Sequence, residues 1–134
     1  MARLDIKAET DSLDKVTEFI DEQLEAADCS MKAQMQIELA VEEIFVNIAH
    51  YAYTPNIGMA GITVETQGDS VLITFEDSGV PYDPLAKEDP DVTLSAQDRS
   101  VGGLGIFMVK KSMDDVRYAY IDGKNILTLE KKLR

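Results

Sequence analysis

Two tight-turn signatures constrain this 134-residue chain more than any other feature. Gln67-Gly68-Asp69 separates the β-rich runs 61–66 and 70–76, and Asp122-Gly123-Lys124-Asn125 separates 115–121 from 126–133. Runs rich in Val, Ile, Thr, Phe and Tyr on either side of a glycine-centred turn read as antiparallel hairpins. Each hairpin leaves an apolar face that another layer must cover, and the remaining sequence supplies the cover. In residues 31–52, behind Ser30 as a capping residue, Ile37, Val41, Ile44 and Ile48 recur at helical spacing and form a core-facing stripe. Leu39 and Val46 lie on the far side of that helix, which is therefore covered on a second face or offers an apolar patch to a partner. Leu13, Val16, Phe19, Ile20 and Leu24 predict another helix reaching about residue 27, with Ser12 as its N-cap. Residues 4–9 alternate as a short strand, and residues 106–113 predict a helix of two to three turns. The order β-α-α-β-β-loop-α-β-β in one domain, 1–134, predicts an α/β fold: a two-layer α/β sandwich with a mostly antiparallel sheet and helices on one face.

Charge narrows the partners. Acidic residues outnumber basic ones 25 to 13, for a net charge of -12, which opposes direct binding of nucleic acid or of anionic membrane. Any polyanion must be held locally, by backbone N–H groups, a metal or a few cations. The single Cys29 makes no internal disulfide, the first ten residues lack the pattern of a signal peptide, and no run approaches the ~20 apolar residues of a membrane span. A cytoplasmic protein is the expectation.

Three stretches carry candidate chemistry. Glu43 and Asn47, four apart, share one face of the helix over 31–52, where an amide oxygen can ligate a metal and a carboxylate one turn earlier can act as a base. In ITFEDSGVPYDP, residues 73–84, a β-rich run ends on Asp77, with Gly79 permitting close approach and Pro81 and Pro84 stiffening the exit toward Asp83. A carboxylate there can accept a hydrogen bond from an exocyclic amine. In VGGLGIFMV, residues 101–109, three glycines stand just before the expected helix start, where converging backbone N–H groups make an anion site. The spacing is neither that of a P-loop nor that of a dinucleotide-binding fingerprint. Arg99, Lys110 and Lys111 are the nearby cations. His50, the sole histidine, has no sequence partner for a zinc site or a Cys-His nucleophile, and Tyr51 and Tyr53 read as packing residues.

Taken in order, ELAVEEIFVN (38–47), DSGVPYDP (77–84), a polar segment and GGLGIFMV (102–109) resemble the N, G1 and G2 boxes of the GHKL, or histidine kinase-like, ATPases across nearly the whole chain. The form of the G1 stretch is most similar to that of bacterial anti-sigma-factor serine/threonine protein kinases. The resemblance implies the Bergerat type of sandwich, with a lid over about 85–101. It implies ATP and Mg²⁺ as ligands: Asp77 accepting from the adenine amino group, Gly79 letting the base approach, Asp83 with Pro84 shaping the pocket wall, and Asn47 holding Mg²⁺ against the triphosphate. Gly103 and Gly105, with the N–H groups of Leu104 and Ile106, would cradle phosphates, and Glu43 would be the general base toward a serine hydroxyl or water. The implied partners are an anti-anti-sigma antagonist bearing the target serine and a sigma factor, with a homodimer as a possible assembly. Two positions depart from the family pattern: Tyr51 stands where a histidine is common, with His50 one place early, and Val101 stands where an arginine is often found, with Arg99 two places upstream. These departures motivate a second reading, a nucleotide-dependent protein-binding switch with little catalysis. A third, a fragment of a histidine kinase or larger ATPase, lacks the accompanying phosphoacceptor helix.

Overall fold

In the computed structural model of the chain, residues 1–86 and 103–134 are described. The expected lid therefore falls almost entirely outside the described residues, as do Arg99 and the side chain of Leu104. The elements are β1 (Ala2–Lys7), α1 (Leu13–Ala26), α2 (Met31–Tyr51), β2 (Met59–Gln67), β3 (Ser70–Asp77), α3 (Gly103–Ser112), β4 (Asp115–Ile121) and β5 (Lys124–Lys132), with short 3-10 turns at Thr10–Ser12 and Pro84–Ala86. The strands form one five-stranded sheet of order β1-β2-β3-β5-β4, and every pairing is antiparallel. Both expected hairpins form, with Gly68 and Gly123 at positive φ in their turns, a conformation glycine adopts without steric cost.

Side-chain alternation sorts the sheet into two faces. Ile62, Val64, Ile73, Phe75, Leu127 and Leu129 point into a core shared with Val16, Ile20, Leu24, Ile37, Val41 and Phe45 of the helices. Each such fully buried side chain contributes about 1.5–3 kcal/mol relative to exposure. The opposite face is polar: the register aligns Arg3, Thr63, Thr74, Thr128 and Arg117 in one row across all five strands.

Several boundaries differ from the sequence expectation. The first strand begins two residues earlier. Ser12 precedes α1 but makes no capping bond with its side chain, because the chain is already helical through the 3-10 turn and Ser12 is buried. Ser30 does cap α2, its hydroxyl accepting from Ala33 N at 3.2 Å. Ile37, Val41 and Ile44 of the expected stripe are buried, Ile48 is partly so, and Leu39 on the outer side is 68% exposed. Helix α3 starts at Gly103, three residues before the predicted start, which moves Gly103 and Gly105 from a preceding loop into its first turn. The second turn is shorter than expected, since Lys124 and Asn125 already belong to β5.

Candidate functional site

The strongest local signal lies where the core alternation of β3 ends. Val71, Ile73 and Phe75 are buried at alternate positions, and Asp77, next in the series, is 7% exposed. A carboxylate at a core-facing position must be hydrogen-bonded to persist there. Asp77 is: its Oδ1 accepts from Gly79 N and from Asn125 Nδ2, both at 2.9 Å. Asn125 is the residue opposite Asp77 in the β3–β5 register, so the sheet itself makes the pair. Among the described residues nothing donates to Asp77 Oδ2.

The cavity into which Asp77 looks is mostly apolar. Its walls include Ile44 and Ile48 from α2, Ala52 just beyond the end of that helix, Phe75 and Leu127 from the sheet, and Val80 from the following loop; Asn47 stands on the same helical face as Ile44 and Ile48. Asn47 and Asp77, thirty residues apart in sequence, thus line one cavity. An apolar slot with a carboxylate acceptor at its end fits a flat heterocycle carrying an amino donor.

One helical turn before Asn47 is Glu43. Asn47 Nδ2 makes a long contact of 3.5 Å to Glu43 Oε1, and Asn47 Oδ1, an oxygen able to ligate a cation, receives no hydrogen bond among the described residues. On the other side of Glu43 lies the first turn of α3: a Cβ built on Gly105 would collide with the Glu43 carboxylate. A larger residue at 105 would push that carboxylate aside. The first turn of a helix carries unpaired N–H groups and partial positive charge, so this position holds an acidic side chain favourably and also suits a bound anion. Ile106 is buried in the core and fixes the start of α3 against α2. Asp77, Asn47, Glu43 and Gly105 therefore form one continuous line from the cavity to a helix N-terminus.

Two expected residues have different local roles. Gly79 makes its close approach to the backbone of Ala52: a Cβ there would strike the Ala52 carbonyl, the group that accepts from Val80 N at 2.8 Å. Asp83 does not line the cavity; its carboxylate accepts from Leu85 N at 2.8 Å across the Pro84–Ala86 turn, and Pro84 is the neighbour that reaches the wall. Tyr53 packs against the core, as expected, and is also a polar latch. Its hydroxyl donates to Met59 O at 2.6 Å and accepts from Ser78 N at 2.8 Å, tying the end of α2 to the loop after Asp77.

Sequence reasoning missed Asn125 and Tyr118. Asn125 Nδ2 bonds Asp77 Oδ1 and Val80 O, while its Oδ1 accepts from Tyr82 N at 3.1 Å and from the Tyr118 hydroxyl. Burial pushes the Tyr118 phenol above its ordinary value; the Tyr82 backbone opposes that shift, and the Asp83 and Asp77 carboxylates reinforce it. The phenol therefore remains a donor at neutral pH. The alternation Leu129, Leu127, Asn125 could have pointed to Asn125, since it puts an amide where the pattern calls for an apolar residue.

No three His, Cys, Asp or Glu side chains among the described residues are grouped to hold a metal. A site of this kind suits Mg²⁺, which takes few protein ligands and completes its shell with water and phosphate oxygens; Asn47 Oδ1 would be the ligand supplied here. Among the described residues, no helix is long and apolar enough to cross a membrane.

Known proteins resemble this chain in sequence and fold. The chain is 30% identical to the serine/threonine-protein kinase BtrW of Bordetella bronchiseptica over 75% of its length and 71% of that protein's. It is 26% identical to the serine-protein kinase RsbW of Bacillus cereus over 68% of its own length, and spans 59% of that relative. The fold matches a solved structure of the RsbU and RsbW domains of a Mycobacterium tuberculosis protein, with a TM-score of 0.65 and 16% identity over 99% of this chain and 33% of that one. Residues 6–131 match the histidine kinase-like ATPase domain, and the chain belongs to that family.

Proposed function

We propose that this protein binds ATP and acts as a serine/threonine protein kinase of the anti-sigma type, phosphorylating a serine on an anti-anti-sigma antagonist and so regulating a sigma factor. The observation that carries this reading is the position of Glu43, one turn from Asn47 and against the first turn of α3, where a transferable phosphoryl group would lie beside it. Adenine would enter the apolar cavity and donate its amino hydrogen to Asp77 Oδ2. Bound Mg²⁺ would offset the polyphosphate charge, which an acidic chain with Glu43 at the same place would otherwise repel. Asn47 would orient that end of the nucleotide, and the N–H groups from Gly103 to Ile106 would donate hydrogen bonds to its oxygens. Glu43 would take the proton of the incoming serine hydroxyl as that oxygen bonds to the terminal phosphorus and the bridging oxygen departs with ADP. Relatives named as serine and serine/threonine kinases support the reaction class.

The test is phosphoryl transfer from Mg-ATP to the cognate antagonist by wild type and by Glu43→Gln. A general base contributes roughly 10²–10⁴-fold, so Glu43→Gln is expected to lose transfer by that factor while retaining nucleotide binding. Transfer that survives the substitution would remove Glu43 from this role. Tight binding of ATP with no transfer in the wild type would favour the nucleotide-dependent switch.

A further inference from the structure

Asn125 is saturated. Its amide has two donors and two acceptor lone pairs, and all four are used: toward Asp77 Oδ1, Val80 O, Tyr82 N and the Tyr118 hydroxyl. Three of these partners have fixed polarity. Asp77 Oδ1, which accepts from Gly79 N as well, and a backbone carbonyl act as acceptors, and a backbone N–H only donates. Turning the amide over would set Oδ1 against two acceptors and Nδ2 against a donor, so the orientation is determined by its surroundings. The side chain is 7% exposed, and no buried side-chain polar atom among the described residues lacks a partner.

The four bonds join three parts of the cavity. Val80 and Tyr82 belong to the loop after β3, Tyr118 to β4, and Asp77 is the acceptor at the cavity's end. Because Nδ2 engages Oδ1, the carboxylate is fixed in rotation and Oδ2 is the oxygen left to meet a ligand. We infer that Asn125 is a positioning residue for Asp77, holding it as a pure acceptor and thereby setting the preference of the cavity for a purine with an amino group at C6 over one with a carbonyl. The inference rests on the reading of the cavity as an adenine-nucleotide site. Without the amide, Asp77 Oδ1 keeps only its bond from Gly79 N, the carboxylate is held less firmly in rotation, and its discrimination between the two bases falls.

The experiment measures dissociation constants of the full chain for Mg-ATP and Mg-ITP, which differ at C6 by an amino group against a carbonyl, in wild type, Asn125→Ala, Asn125→Asp and Tyr118→Phe. Wild type is expected to prefer ATP. Asn125→Asp, nearly isosteric but placing acceptors against Asp77 and Val80, is expected to lose at least about tenfold in ATP affinity, because two buried acceptors then face each other. Asn125→Ala is expected to lower the ATP-to-ITP ratio by about fivefold or more, a readout that a loss of packing alone would not move. Tyr118→Phe keeps the Asp77 contact and the apolar ring, so it guards against a fold defect at 125; it is expected to lower the ratio in the same direction by a smaller factor. If wild type prefers ATP while Asn125→Ala and Tyr118→Phe, shown to be folded by thermal melting, keep the wild-type ratio, the inference is overturned and the adenine reading stands. If wild type binds neither nucleotide, the adenine reading fails and takes the inference with it.

Discussion

The two ends of the candidate site are built on different principles. At the Asp77 end the polar groups are locked into the sheet: Asp77 and Asn125 face each other across β3 and β5, and the loop that follows is tied to Ala52, Tyr53 and Asn125 by backbone and side-chain bonds. At the Glu43 end, the Asn47–Glu43 contact is 3.5 Å long, and Gly105 leaves the Glu43 carboxylate room to lie against α3. The first end is fixed before any ligand arrives. The second can shift by a side-chain rotation. Such a division suits a site that must recognise one base stringently yet change its charge and hydrogen bonding as a phosphoryl group leaves.

Substitutions at each end should therefore fail in different ways. The largest expected effect is Asp77→Asn. Replacing the carboxylate acceptor by an amide weakens a hydrogen bond of a kind worth up to about 3 kcal/mol, so ATP affinity is expected to fall roughly a hundredfold by calorimetric titration. An unchanged affinity would separate the rigid end from nucleotide recognition. Next is Gly79→Ala, whose added methyl meets the Ala52 carbonyl, a backbone atom held by its bond from Val80 N. A loss of about 1–3 kcal/mol is expected, read as a lowered Tm and an earlier denaturant midpoint. Gly105→Ala sharpens the contrast, because the nearest atoms its methyl meets belong to the end of a flexible side chain, that of Glu43. Alanine also favours helix over glycine by about 0.5–1 kcal/mol, so Tm is expected to hold or rise. Phosphoryl transfer is expected to fall about tenfold as Glu43 swings away. Equal thermal losses for the two alanine variants would erase the distinction between the ends.

Much of this was legible in the sequence, for reasons that differ by residue. The hairpins and α2 follow from local periodicity and turn chemistry, which need no knowledge of tertiary contacts. Asp77 was visible as the acid that ends a β-rich run ahead of a glycine-proline hinge, and Glu43 with Asn47 as a helical pair. Asn125 was not visible, because an asparagine beside Asp-Gly-Lys reads as turn chemistry and its partner Asp77 lies 48 residues away. Only the register of β3 against β5 brings the two together. The start of α3 was misplaced because glycine disfavours helix interiors, whereas tight packing against Glu43 requires glycine at 105. Ser12 stands at the expected N-cap position of α1, but its hydroxyl makes no capping bond, because the preceding 3-10 turn already continues the helical path there.

The central claim is that the Asp77 cavity, Asn47 and the first turn of α3 are parts of one adenine-nucleotide site. Titrating the isotope-labelled chain with Mg-ATP and following the amide resonances of Gly79, Asn47 and Gly105 tests it most directly. Saturable shifts at all three positions that fit a single dissociation constant are expected, with Mg-GTP producing much weaker changes. Saturation at Gly79 without any response at Asn47 and Gly105, or no uptake of adenine nucleotide at all, would contradict it.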